Sequence, residues 1–144
     1  MIQIAGFKKA LREDIWLKLL LIASSGGGKS YSALRMATGI VDSMKKDGDK
    51  DARIAFIGTE QKRDLYYADE FDYDILQLNK PYTPESYVEA IDEAIENGYK
   101  VIILDSLTHE WTGAGGVLEI HSKIPGNSYI AWNKLNCSLL MATQ

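Results

Sequence analysis

Gly26-Gly27-Gly28-Lys29-Ser30 sets three glycines directly before a lysine and a hydroxyl, and two carboxylates, Asp105 in "VIILD" and Glu60 in "AFIGTEQ", follow apolar runs elsewhere in the chain. Phosphate chemistry uses these residue types. A phosphate chain needs several donors in one concavity, and backbone N–H groups supply them only where the main chain approaches closely and takes positive φ, which glycine permits. In such a loop Lys29 reaches the β- and γ-phosphates and the Ser30 hydroxyl ligates Mg²⁺. Ser24, Ser25, Gly26, Gly27, Gly28, Lys29, Ser30 and Tyr31 make up the expected binding stretch. Gly28-Lys29-Ser30 forms the second half of G-x-x-x-x-G-K-[ST], and Ala23 stands where the first glycine belongs.

A second carboxylate function is needed beside such a loop. Mg²⁺ keeps part of its hydration shell and takes one or two acidic ligands, commonly at the tip of a buried strand, so Asp105 is the expected metal residue together with Ser30. Hydrolysis further requires a group that orients or deprotonates water. Glu60 is the expected one, Glu110 in "DSLTHEW" its rival, and His109 is read as structural.

The surrounding segments must bring these residues together. Residues 16–23 are a nearly continuous apolar run, read as a strand buried on both faces. From Lys29 to about Lys45, Leu34, Ala37, Val41 and Met44 recur at helical spacing, with Lys45 and Lys46 in the last turn, where the helix dipole favours cations. A glycine-serine linker has no reason to sit inside such a strand-to-helix junction. Strands are expected at 53–58, 74–78 and 100–105. Between the last two, "TPESYVEAIDEAIENG" predicts a helix, with Thr83 as N-cap, Pro84 at the first helical position and Asn97-Gly98 closing it. Strands alternating with helices predict an α/β fold with a parallel sheet. Beyond Asp105 the expectations are a loop at 113–116, short helices at 117–123 and 129–135, and a last strand or helical tail in "CSLLMATQ".

Bulk properties bound the class. The 144 residues suit one domain, with 1–14 as a lead-in and 124–144 as an abbreviated end, and 46% hydrophobic with 25% charged residues excludes disordered and collagen-like classes. A net charge of −4 supplies no overall field toward nucleic acid or an anionic membrane, so any such contact must be local. The lone cysteine, Cys137, cannot form an internal disulfide. The 16–23 run is too short to span a bilayer and no secretory signal precedes it, so the expected location is cytoplasmic. A GTPase is disfavoured: Asp105-Ser106-Leu107-Thr108 lacks the glycine of D-x-x-G, and Asn79-Lys80-Pro81-Tyr82 ends in tyrosine rather than the aspartate of N-K-x-D.

On these residues the chain resembles the P-loop NTPases of the RecA-like ATPase group. In that pattern the strand after the phosphate-loop helix ends in a catalytic glutamate and a later strand in the Walker B aspartate, matching Glu60 and Asp105. More narrowly, "GGGKSYSALRMATGI", "YYADEFDYDIL", "PYTPESYVEAIDEA" and "DSLTHEWTGAGGVLEI" resemble AAA-family ATP-binding proteins of phages and prophages, over about Phe7 to Trp132. The resemblance implies a three-layer α/β/α fold with a mostly parallel RecA-like sheet, ATP and Mg²⁺ as ligands, and ATP hydrolysis serving phage DNA recombination, replication or repair. It also implies a homo-oligomer, with single-stranded DNA or phage recombination and replication proteins as partners. Tyr66, Tyr67 and Trp111 are either stacking surfaces for DNA or aromatics packed under a loop. Gly58 departs from the family, which often carries an acidic residue before "TE". If "SLLMATQ" is the sensor strand of the family, Gln144 is the sensor. The short end also keeps open a second expectation, a truncated noncatalytic module that binds ATP without useful turnover.

Overall fold

The computed structural model describes residues 16–127 and 131–132, and over that range apolar strands alternate with amphipathic helices as the pattern requires. Helix α1 (Lys29–Lys46) buries Leu34, Ala37 and Val41, which lie on one stripe at a 3.6-residue period, and ends on Lys45 and Lys46. Strand β1 (Ile54–Gly58) is buried at every residue because it is the central strand of a three-stranded sheet. Its neighbours are β2 (Asp74–Gln77) on one side and β3 (Val101–Asp105) on the other, both parallel to it. The fold is therefore α/β, built on a small open parallel sheet of order β2-β1-β3.

Helix α2 (Pro84–Glu96) lies between β2 and β3 in sequence and forms part of the long connection that carries the chain past β1 to a second parallel strand. Its start is fixed by the Thr83 side chain, which accepts from the Ser86 N–H at 3.2 Å, and by Pro84, which gives up an N–H that the helix would leave unpaired. Tyr87, Ala90 and Ala94 face inward. On the other helix, Ala37 and Val41 pack with Ala52 and Ile54, and Met44, Tyr73, Val101 and Ile103 close around them.

Register decides what stands at the sheet's rim. Gly58 pairs with Gln77 on one side and Asp105 on the other, so these three positions form one row across the carboxyl ends of the strands. Phe56 lies two residues before Gly58, on the same face of β1. The Thr59 N–H donates to the Asp105 carbonyl at 3.0 Å and carries the pairing of β1 with β3 one residue further.

The structure corrects the expectation for residues 16–23. They form no strand: Trp16 is 80% and Ile22 86% exposed, and Leu17, Leu19 and Leu20 are exposed with them. An apolar run becomes a doubly buried strand only when neighbours hydrogen-bond its edges and helices cover its faces; among the described residues the sheet stops at β2 and β3. Two short elements were not foreseen, a 3-10 helix at Gln61–Leu65 and α3 (Thr108–Thr112). Gly113 then ends α3 and Gly116 caps α4 (Val117–Lys123), so 113–116 is a loop and 117–123 a short helix, as expected. Of the 129–135 helix, Ala131 and Trp132 are helical, and the rest lies outside the described residues. So do the 1–14 lead-in, Cys137 and Gln144. Among the described residues no helix is long and apolar enough to cross a membrane.

Candidate functional site

The glycine loop enters α1 through two left-handed residues, Gly26 at φ 76° and Gly28 at φ 75°. Side chains rarely adopt that conformation, and Gly28 is also the N-cap, so the turn into the helix depends on glycine there. Gly27 is needed for a different reason: a Cβ on it would lie 2.9 Å from the Ala23 Cβ and 3.0 Å from the Ser24 carbonyl oxygen. The Ala23 methyl group thus packs against the loop without displacing it. The turn is closed by the Gly27 N–H donating to the Ser24 carbonyl at 3.1 Å.

Lys29 folds back over this turn. Its Nζ donates to the carbonyls of Ala23 and Ser24, at 2.9 Å each, which places the ammonium above the loop. On the next residue the Ser30 hydroxyl donates to the Asp105 carboxylate across 75 positions of sequence. That contact joins the first turn of α1 to the tip of β3.

These groups line a cavity of about 560 Å³, within the range of small-molecule sites. Ser25, Gly26, Gly27, Gly28, Lys29, Ser30, Glu60 and Asp105 all reach it, with Phe56 as part of its wall. Ser24 contributes its carbonyl to Lys29 rather than lining the cavity. Tyr31 also turns away: its hydroxyl donates to Glu70 at 2.8 Å and its ring meets Tyr67 and Phe71 edge-on. Glu110 does not line the cavity, so the geometry separates it from Glu60. Burial and the nearby Glu85 carboxylate push its pKa up.

Several residues at the site carried no sequence signal. Arg63 and Asp64, both on the 3-10 helix, flank Glu60: Arg63 Nη1 lies 3.0 Å from Glu60 Oε2, and the Asp64 carboxylate accepts from the Glu60 N–H at 3.0 Å. Asp64 is only 5% exposed, and desolvation pushes its pKa up against the hydrogen bonds that favour its charged form. Thr59 connects three partners, taking the Ser106 N–H at 3.2 Å, donating to the Asp105 carbonyl and meeting His109 Nδ1 at 2.7 Å. His109 also stacks on Tyr82, and both contacts agree with its structural reading. Burial pushes the Tyr87 phenol up to about 12, so it stays a donor, here to the Ser106 carbonyl at 3.0 Å.

Tyr66 and Tyr67 line the same cavity, and Tyr66 is exposed while Tyr67 is half-buried beneath it. Trp111 stacks on Trp132 with ring centroids 5.7 Å apart.

The donor set suits a hard cation. Ser30 and Asp105 supply two oxygens brought together at one point, and among the described residues no cluster of three or more His, Cys, Asp or Glu side chains forms a cage for a metal. An ion held by two such oxygens would have to complete its shell from oxygens outside this pair. No protein-family model, curated protein or solved structure matches this chain.

Proposed function

We propose that this chain is a P-loop NTPase domain of the RecA-like group that binds ATP with Mg²⁺ and hydrolyses it, working in the cytoplasm on phage DNA recombination, replication or repair. One observation carries the chemical part: the Ser30 hydroxyl meets the Asp105 carboxylate beside a glycine loop crowned by Lys29, and Glu60 lines the same cavity. The biological setting, a homo-oligomer and DNA partners rest on the motif resemblance alone.

In this reading the backbone N–H groups at Gly26 to Ser30 and the start of α1 hold the phosphates. Lys29 exchanges its two loop carbonyls for phosphate oxygens. Ser30 and Asp105 would hold Mg²⁺, which would neutralise charge on the phosphates. Glu60 orients the attacking water and takes its proton. Arg63, paired with Glu60, holds that carboxylate to one side of the cavity.

ATP binding and turnover by wild type, Lys29→Ala, Glu60→Gln and Glu110→Gln test the reading. Lys29→Ala is expected to weaken ATP binding about 10- to 100-fold, the loss of a charge-assisted contact. Glu60→Gln should bind ATP and fail to turn it over, whereas Glu110→Gln should bind ATP and hydrolyse it like wild type. Full turnover in Glu60→Gln overturns the assignment of Glu60. Binding without turnover in wild type replaces the ATPase with the noncatalytic nucleotide-binding module.

A further inference from the structure

The row Gln77, Gly58, Asp105 has a gap at its centre, because glycine brings no side chain there. The Asp64 carboxylate fills that gap: a Cβ on Gly58 would overlap it. From this position Asp64 accepts the Glu60 N–H at 3.0 Å and the Gln77 Nε2–H at 3.2 Å. The same Gln77 nitrogen donates to the Gln61 carbonyl at 3.2 Å.

Gln61 explains why the turn needs holding. Its φ of 49° makes it a left-handed residue without being glycine, a conformation that L residues adopt at a cost. It follows Glu60 directly. The surroundings must fix a turn of this kind, and the Asp64 and Gln77 side chains hold its two ends, the Glu60 N–H and the Gln61 carbonyl. A buried carboxylate is expensive to keep, which makes a purely space-filling role a poor use of the position.

We propose that Asp64, seated in the space left by Gly58 and bridged by Gln77, is a positioning residue that sets the Glu60 main chain so that its carboxylate faces the cavity. The inference rests on the reading of Glu60 as the water-orienting group. It also accounts for glycine before "TE": the acidic group arrives from the 3-10 helix and occupies the place a side chain at 58 would take.

The test combines ATP turnover with amide exchange at Glu60, followed by NMR without nucleotide, in Asp64→Ala, Asp64→Asn and Gly58→Ala. Asp64→Ala is expected to lower kcat about 10- to 100-fold, the range for a displaced catalytic group, with KM changed less than about threefold. Its Glu60 amide should exchange at least about tenfold faster, the factor for one lost hydrogen bond. Asp64→Asn should restore most of both, since its side-chain oxygen can take the place of the carboxylate oxygen that accepts the Glu60 N–H and the Gln77 Nε2–H. Gly58→Ala displaces the carboxylate from the other side and should reproduce Asp64→Ala even if that variant does not fold.

An unchanged Glu60 amide in folded Asp64→Ala or Gly58→Ala overturns the proposal. So does Asp64→Asn being as defective as Asp64→Ala. Normal turnover in Glu60→Gln with a deprotected amide in Asp64→Ala leaves the Asp64 contact standing and removes the water-orienting role from Glu60, so the two failures are distinct.

Discussion

At the scale of single residues, the site sets two carboxylates against different environments. Glu60 is exposed and paired with Arg63, while Asp64 is buried with neutral donors. The Arg63 pair contributes little to stability, since both side chains stay in contact with water. Asp64 makes the opposite trade. Its pKa is raised in the folded chain, chiefly by desolvation, so the native state holds its proton more tightly than the unfolded state does. The stabilisation linked to that proton is fully present below the unfolded pKa and is lost as pH rises through the folded one. At neutral pH the charge is therefore a burden. Asp64→Asn, which keeps the acceptor and removes the charge, should unfold at higher denaturant than wild type at pH 7, and the gap should close as pH falls toward about 4, the unfolded value. Urea unfolding at several pH values checks this. A gap independent of pH would place the effect elsewhere than in the Asp64 charge.

At the scale of elements, the strongly patterned segments were legible and the short or unpatterned ones were not. The stripe Leu34, Ala37, Val41 and the punctuation Thr83-Pro84 forecast α1 and α2 to within about a residue or two at each end, because periodic burial and capping are written locally. The 3-10 helix and α3 have five residues each, too few to show a period. The 16–23 run misled because its composition records a tendency to be covered, not whether cover is there. Within the candidate site, Lys29, Ser30, Glu60 and Asp105 were readable from spacing and chemistry. Asp64 and Gln77 were not, since their importance comes from a gap in a neighbouring strand that only the register reveals. The elements also differ in what they can lose. Leu34 is fully buried, and Leu34→Ala should cost about 2–5 kcal/mol, whereas Thr83→Ala, which removes one cap, should cost about 1 kcal/mol. Equal losses in thermal or chemical unfolding would show that α1 is not anchored through that face.

At the scale of the molecule, the site is where otherwise separate parts of the chain meet. The loop before α1, the rim of β1 with its 3-10 helix and the tip of β3 all border one cavity, yet the direct side-chain contact between α1 and β3 there is Ser30 to Asp105. A ligand that bridges these parts should stabilise the whole fold, because it binds only when all of them are in place. Linkage sets the size: a site filled at about 100 times its dissociation constant adds about 2.7 kcal/mol. For a chain of this length that is a rise in melting temperature of about 5–10 °C. On the proposed function the rise should need ATP and Mg²⁺ together, since Ser30 and Asp105 would supply only part of a magnesium shell and the phosphates the rest. Magnesium alone should leave the melting temperature almost unchanged. Lys29→Ala should lose about half or more of the ATP-linked rise while melting near wild type without nucleotide, because among the described residues its ammonium contacts exposed loop carbonyls. Asp105→Asn removes the carboxylate proposed to hold the metal and should lose most of the rise seen with ATP and Mg²⁺ together. A rise of equal size in wild type and Lys29→Ala would mean that ATP binds away from the glycine loop.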